Sequence, residues 1–107
     1  MIGVATSHGA GLKKVLCSNA ETDSNITQIA MTTLRAGEVV DAHVHADMEE
    51  HFIFEQGDVE LTLDDDLHLI HDRKYVLIPP GVKHGIKAVT DCRLITVGCV
   101  VGKLEER

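Results

Sequence analysis

The feature that most constrains the fold is a series of short apolar runs rich in β-branched residues. The runs are "ITQIAMTTL", "VVDAHVH", "HFIFEQG", "DVELTL", "YVLIPPG" and "CRLITVGCVV". Glycine, proline or aspartate, residue types that favour turns, separates most of the runs, so that turns recur about every eight to twelve residues. Helical periodicity is confined to "GLKKVL", where we expect a short helix at most. The pattern therefore predicts an all-β domain, either a closed barrel or a sandwich.

The length predicts one domain. The chain has 107 residues, with no internal repeat, low-complexity tract or linker, and this length suits one compact core rather than two. We therefore treat residues 1–107 as a single domain whose barrel core spans about residues 26–101. Only three residues are aromatic, so the core must consist mainly of aliphatic side chains.

Charge and cysteine content narrow the classes of partner. Seventeen acidic residues against ten basic ones give a net charge of −7, which disfavours nucleic acid as a partner. The apolar stretch "LITVGCVV" is far shorter than the ~20 residues that cross a bilayer, and the N-terminus lacks the pattern of a secretory signal. The three cysteines form no close pair and are expected to be reduced. We therefore expect a cytoplasmic protein that binds neither nucleic acid nor membrane.

Three histidines and a glutamate form the most informative cluster. Residues two apart on a strand project from one face about 6.6 Å apart, so His43 and His45 are close enough to share one ion. Glu50 joins them only if a turn at residues 46–49 resets the strand, and His84 follows the strand-ending "PPG". Two histidines alone would more often be polar residues on a solvated face. A carboxylate and a distant histidine in addition favour a metal site.

At this point the sequence resembles the cupin family. The spacing of its first motif matches at Gly37, His43, His45, Glu50 and Gly57, and that of its second motif at Pro79, Gly81 and His84. The glycine and asparagine that usually open and close the second motif are replaced by Arg73 and Ala88. The resemblance implies a small double-stranded β-helix, also called a jelly-roll barrel, with His43, His45, Glu50 and His84 as metal ligands.

The donor set indicates the class of cofactor. Three imidazoles and one carboxylate suit one divalent first-row ion such as Mn, Fe, Co, Ni, Cu or Zn. An octahedral ion held by four protein groups would retain two positions for water, oxygen or a chelating molecule. The alternative is a metal-free cupin that keeps the motif without its use.

Six further residues are candidates for the wall of a pocket around the ion: Asp41, Met48, Phe52, Phe54, Ile78 and Ile86. Strand alternation turns the two phenylalanines and two isoleucines inward, where core packing is the default and a place in the pocket wall is the alternative. Met48 lies beside the turn that carries the ligands. Asp41 precedes His43 by two residues, so it is expected inside, either orienting a ligand histidine or acting as acid or base. His51 is expected to point away.

The fold and the metal leave three classes of function open. The first is a metal-dependent enzyme, either an oxidoreductase resembling cupin dioxygenases or a sugar or sugar-phosphate isomerase. The second is a non-catalytic module that binds or senses a small molecule, and the third is a structural domain. The sequence shows no cluster of Lys or Arg for a phosphate and no obvious unligated base, which favours oxidation. Exposed edge strands favour a homodimer, and the catalytic residues stay unassigned.

Overall fold

A computed structural model describes residues 3–5 and 11–102 of the chain. It contains ten strands: β1 Gly3–Ala5, β2 Leu12–Ser18, β3 Ile26–Leu34, β4 Val39–His43, β5 Met48–Gln56, β6 Val59–Leu63, β7 Asp66–Ile70, β8 Lys74–Ile78, β9 His84–Ala88 and β10 Cys92–Val100. The described part has one 3₁₀ turn, at Asn19–Glu21, and no helix in it is long and apolar enough to span a bilayer. The all-β prediction is confirmed, whereas the helix expected in "GLKKVL" is wrong, because those residues enter β2.

The strands form two antiparallel sheets that face each other. One has six strands in the order β1-β2-β3-β10-β5-β8, and the other has four in the order β4-β9-β6-β7. The nine-residue strand β10 pairs along its length with β3 and β5. Consecutive strands thus alternate between sheets in several places, which is the arrangement of the double-stranded β-helix that the sequence motifs predict.

The core lies between the sheets. Its residues are apolar, and both sheets contribute: Leu34, Phe52, Phe54, Val59, Leu61, Ile70, Ile78, Ile86, Ala88, Cys92 and Leu94. Along β5 the inward Phe52 and Phe54 alternate with the outward Ile53, which is 40% exposed. The period-two pattern therefore predicts the buried face correctly, and burial of this apolar face against the second sheet stabilises both sheets.

Gly57 and Arg73 are among the positions of the sequence motifs whose positive φ favours glycine. Gly57 has φ +92°, and a Cβ placed there would lie 2.7 Å from Cβ of Cys92, so the residue is required both by its conformation and by a close approach. Arg73 takes a left-handed conformation, with φ 60°, at the position where the second cupin motif usually has glycine. The conformation required by the motif is therefore present there without the glycine.

Candidate metal centre

Three separate segments bring the four ligating side chains together. His43 ends β4, and its partner in the neighbouring strand is His84, the first residue of β9. His45 follows β4 in the non-strand segment 44–47, which reverses the chain into β5. Glu50 then projects inward from β5, next to Phe52. The turn expected at residues 46–49 is present two residues earlier, at residues 44–47, and it places Glu50 on the same side as the histidines.

The four groups converge on one point. One ligating atom from each residue lies within 4.8 Å of all the others. Oε1 of Glu50 is 2.8 Å from Nε2 of His84, 3.2 Å from Nε2 of His45 and 4.0 Å from Nε2 of His43. In an octahedral site, two ligand atoms that are each about 2.1 Å from the ion are about 3.0 Å apart when adjacent and about 4.2 Å apart when opposite. The spacing in the protein therefore fits a single first-row metal ion.

Backbone carbonyls orient two of the imidazoles. Nδ1 of His43 lies 3.0 Å from the carbonyl oxygen of Asp41, and Nδ1 of His84 lies 3.0 Å from that of Val82. A carbonyl oxygen only accepts, so each Nδ1 carries the proton and donates it, and Nε2 is the atom directed at the cluster. Metal-binding histidines usually have this type of second hydrogen bond, so the ring orientations fit ligation.

The electrostatics of the cluster couple Glu50 to the histidines. Burial alone would raise the pKa of Glu50, but the hydrogen bond from His84 and the charges of the three histidines outweigh it, and the pKa is lowered. Burial opposes the charge of His84 too, yet its bonds to Glu50 and to the Val82 carbonyl raise its pKa. Without metal, the site therefore favours an ionised carboxylate that holds a proton on His84.

A cavity of about 170 Å³ opens beside the ligands. Besides His43, His45 and Glu50, its wall contains Lys13, Gln28, Thr32, Val40, Met48, Phe52, Ile86, Leu94 and Thr96. Three of the residues predicted as pocket candidates, Met48, Phe52 and Ile86, are thus in the wall. Phe52, Ile86 and Leu94 are buried, whereas Val40, Met48 and Lys13 are only partly buried.

Two other predicted pocket residues belong to the core instead. Phe54 and Ile78 are each 1% exposed, and neither lines the cavity. The wall is built from β2, β3, β4, β5, β9 and β10, whereas β8, which carries Ile78, is the edge strand on the other side of β5. Phe54 lies two residues further along β5 than Phe52, about 6.6 Å deeper. Alternation gave the correct face for both, but it contains no information on depth.

The prediction that Asp41 faces the cavity is wrong. Its side chain is exposed in an outer groove with Glu60, Thr62 and Lys87. Val40 pairs with Ile86 and His43 with His84, so two residues of β4, Asp41 and Ala42, oppose one residue of β9. Such a bulge inverts the alternation, which puts Val40 and His43 inside and Asp41 outside. Asp41 still orients His43, but through its backbone carbonyl.

Sequence reasoning missed four polar residues of the cavity wall: Lys13, Gln28, Thr32 and Thr96. They lie on β2, β3 and β10, which reach the site only through long-range strand pairing. His51 points away from the ligands as predicted, with Nδ1 2.6 Å from the hydroxyl of Tyr75. Inward alternation on β3 and β10 could have identified Thr32 and Thr96, whereas nothing in the sequence signals the contribution of Lys13.

A larger depression, of about 510 Å³, lies elsewhere on the surface, around Arg35, Asp91 and Arg93. Within residues 3–5 and 11–102, the converging group of His and Glu ligands is the only cluster able to hold a metal, and it lies beside the smaller cavity. We therefore place the candidate site at the smaller cavity.

The fold is shared with several solved structures. A Thermotoga maritima protein described as a "predicted oxalate decarboxylase" superposes with a TM-score of 0.85 at 17% identity, over 94% of this chain and 91% of that one. KdgF from a Halomonas species superposes with a TM-score of 0.77 at 14% identity, over 100% and 92% of the two chains. At these identities the likeness shows the fold alone.

One curated relative has detectable sequence similarity. A mannose-1-phosphate guanylyltransferase of Sinorhizobium fredii is 30% identical over 57 residues, which are 53% of this chain but only 11% of that protein. The chain therefore corresponds to a small part of this relative. A family model described as "Cupin domain" matches residues 30–98, which is more than half of the chain and includes all four candidate ligands. The chain belongs to the cupin family.

Proposed function

We propose that this protein is a metal-dependent enzyme that oxidises a small molecule, in the manner of cupin dioxygenases. The observation that carries the proposal is the convergence of His43, His45, Glu50 and His84 within 4.8 Å beside a cavity. A divalent ion held there would supply Lewis acidity and, where redox-active, electron transfer between oxygen and substrate. The four side chains would hold the ion, and the apolar Phe52, Ile86 and Leu94 form part of the cavity wall beside it.

The size of the cavity limits the substrate. A volume of about 170 Å³ is below the ~300–1,000 Å³ of sites for drug-sized ligands and near that of a cavity that holds benzene. A molecule of about six to ten non-hydrogen atoms fits that space. A nucleotide sugar exceeds it several-fold, so we do not transfer the substrate of the guanylyltransferase relative to this chain.

The polar groups of the cavity favour oxidation over isomerisation. An isomerase needs a base that moves a proton next to a polarised carbonyl, and among the described residues of the wall Glu50 is the only carboxylate. If Glu50 ligates the ion, it is not available as that base. The similarity to a sugar-phosphate enzyme nevertheless makes sugar isomerisation, or binding of a sugar without turnover, the second candidate.

Oxygen uptake by metal-loaded protein tests the proposal. Protein loaded separately with each first-row ion is supplied with a panel of small diols, thiols and keto acids. We expect substrate-dependent oxygen consumption that is lost in His45→Ala and retained in His51→Ala, because His51 points away from the cluster. Isomerisation of an aldose or ketose without oxygen uptake would favour the second candidate, and binding without turnover would favour a sensing module.

We also infer a homodimer formed through the outer face of the six-stranded sheet. Ile53, Tyr75 and Leu77 are 40%, 55% and 44% exposed there, and pairing aligns Met31, Ile95, Ile53 and Tyr75 in one row across four strands. A continuous apolar face of this kind is typical of an interface. Sedimentation velocity should show that Leu77→Lys dissociates the dimer, whereas Leu69→Lys on the other sheet leaves it intact.

Three free cysteines, Cys17, Cys92 and Cys99, are consistent with a reducing compartment, and we propose a cytoplasmic location on that ground. Fractionation of the producing cells, followed by immunodetection, tests it. Recovery of the protein from an extracellular or membrane fraction would contradict the proposal.

A further inference from the structure

We propose that Lys13 makes the cavity selective for small carboxylates, by binding the anionic end of a ligand whose other end reaches the metal. This inference rests on the proposed metal site and adds the chemical class of the ligand. Lys13 lies on β2, outside both sequence motifs, and its half-buried side chain lines the cavity.

The position of Lys13 follows from strand pairing. Lys13 pairs with Thr32 of β3, and both line the cavity. Alternation along β2 turns the next residue, Lys14, to the opposite face, where it is exposed and pairs with Met31. Of two adjacent lysines, one is therefore directed to the cavity and the other to solvent.

A neutral amide holds the ammonium group near the metal cluster. Nζ of Lys13 donates to Oε1 of Gln28 over 3.2 Å. Gln28 pairs with Gly98 of β10, which pairs with Glu50 of β5, so Gln28 and Glu50 are about two strand spacings, or ~10 Å, apart across the sheet. Above Gly98 the interval is bordered by the side chains of Thr27 and Met48, whose Oγ1 and Sδ would lie 2.5 and 2.9 Å from a Cβ at that position. A ligand that bridges Lys13 and the ion would therefore pass along Met48, which lines the cavity.

The charge balance of the cavity favours an anion. An ammonium has three donors, and the partner identified for Lys13 is an uncharged amide, while no ion pair among the described residues includes it. A divalent ion with one carboxylate ligand would add a net positive charge at the other end of the cavity. Two positive groups in a cavity whose wall also contains the apolar Phe52, Ile86 and Leu94 match a small molecule with a carboxylate, a short carbon chain and a second oxygen group.

Isothermal titration of metal-loaded protein tests the inference. The carboxylate probes are malonate, malate and pyruvate, and the controls are neutral malonamide and inorganic phosphate. We expect at least one carboxylate to bind, with affinity lowered roughly ten- to a hundredfold by Lys13→Gln, since a hydrogen bond to a charged group is lost. Lys13→Arg should restore part of the affinity, and Lys14→Gln should have no effect.

Metal content, measured in the same samples, separates the two proposals. Equal metal in wild type and Lys13→Gln, with equal carboxylate affinity, would overturn the role of Lys13 and leave the metal site intact. Failure of every carboxylate probe to bind metal-loaded protein, or tighter binding of phosphate with the same dependence on Lys13, would overturn the assignment to carboxylates. Absence of metal from wild-type protein would overturn the proposed function, and this inference with it.

Discussion

Replacing His45 by alanine should remove most of the stabilisation that metal gives to the fold while leaving the metal-free protein nearly unchanged. The side chain of His45 is 30% exposed and lies in the segment between β4 and β5, outside the core. Its Nε2, 3.2 Å from Oε1 of Glu50, is one of four atoms that would hold the ion. His84, at 2% exposed, is a less suitable choice, because its loss would also leave a partly buried carboxylate without its partner.

The size of the effect follows from mass action. Four-ligand sites bind zinc with a total free energy of about 10–16 kcal/mol, so an equal share per ligand is about 3 kcal/mol. A hundredfold loss of metal affinity in His45→Ala is therefore a conservative expectation. At free metal a hundredfold above the wild-type Kd, metal adds about 2.7 kcal/mol to the free energy of unfolding. The variant should gain only about 0.4 kcal/mol at the same concentration. For a domain of this size the difference, about 2.3 kcal/mol, corresponds to roughly 9 °C in Tm.

Thermal unfolding followed by circular dichroism, with metal and with a chelator, measures this difference. The matched control is His51→Ala, adjacent to Glu50 in sequence but bonded to Tyr75 on the outer face, and it should show the wild-type increment. An equal metal-dependent rise in Tm for wild type and His45→Ala would refute the assignment of His45 as a ligand. A large fall in Tm of the chelated variant would refute its placement outside the core.

Three further predictions concern stability. The pKa of Glu50 is lowered from 4.5 and that of His84 is raised from 6.5, so their pairing stabilises the metal-free protein fully only between these pH values. In a pH series of urea unfolding, the difference in free energy of unfolding between wild type and Glu50→Gln should shrink as the pH falls below 4.5 or rises above 6.5. A difference that does not change with pH would contradict this. Arg73→Gly should raise Tm by about 2–4 °C. The substitution relieves ~1–2 kcal/mol of strain in the left-handed backbone, which exceeds the ~0.5–1 kcal/mol of conformational entropy that glycine loses on folding. A lower Tm would contradict this prediction. Gly57→Ala should cost about 2–3 kcal/mol in urea unfolding, and an unchanged midpoint would contradict the close approach to Cys92.

Much of the fold and the ligand set follows from local sequence signals. Alternation of apolar residues predicted the strands and the buried face of β5, and the two motifs predicted the cluster of His43, His45, Glu50 and His84. These signals succeed because strand period and turn chemistry are local properties, and because the spacing between ligands is set by turns within the motifs. The expected helix in "GLKKVL" failed because pairing of β2 with β3 overrides a weak local preference.

The composition of the cavity depended on features that no local pattern contains. The bulge in β4 inverts the orientation of Asp41, and a bulge has no reliable sequence signature in a strand of five residues. Lys13 lies thirty residues before His43 and reaches the cavity through the order of strands β2, β3 and β10. Strand order is a property of the whole sheet, so the contribution of Lys13 could not be identified from its own surroundings in the sequence.

The most direct test of the metal centre is the metal content of untagged protein, purified without chelator and equilibrated in turn with each first-row divalent ion. We expect close to one equivalent per chain for at least one ion in wild type and in His51→Ala, and a small fraction of that in His45→Ala and His84→Ala. No stoichiometric metal under any condition, or equal metal in the ligand variants, would contradict the assignment of these four residues as a metal centre.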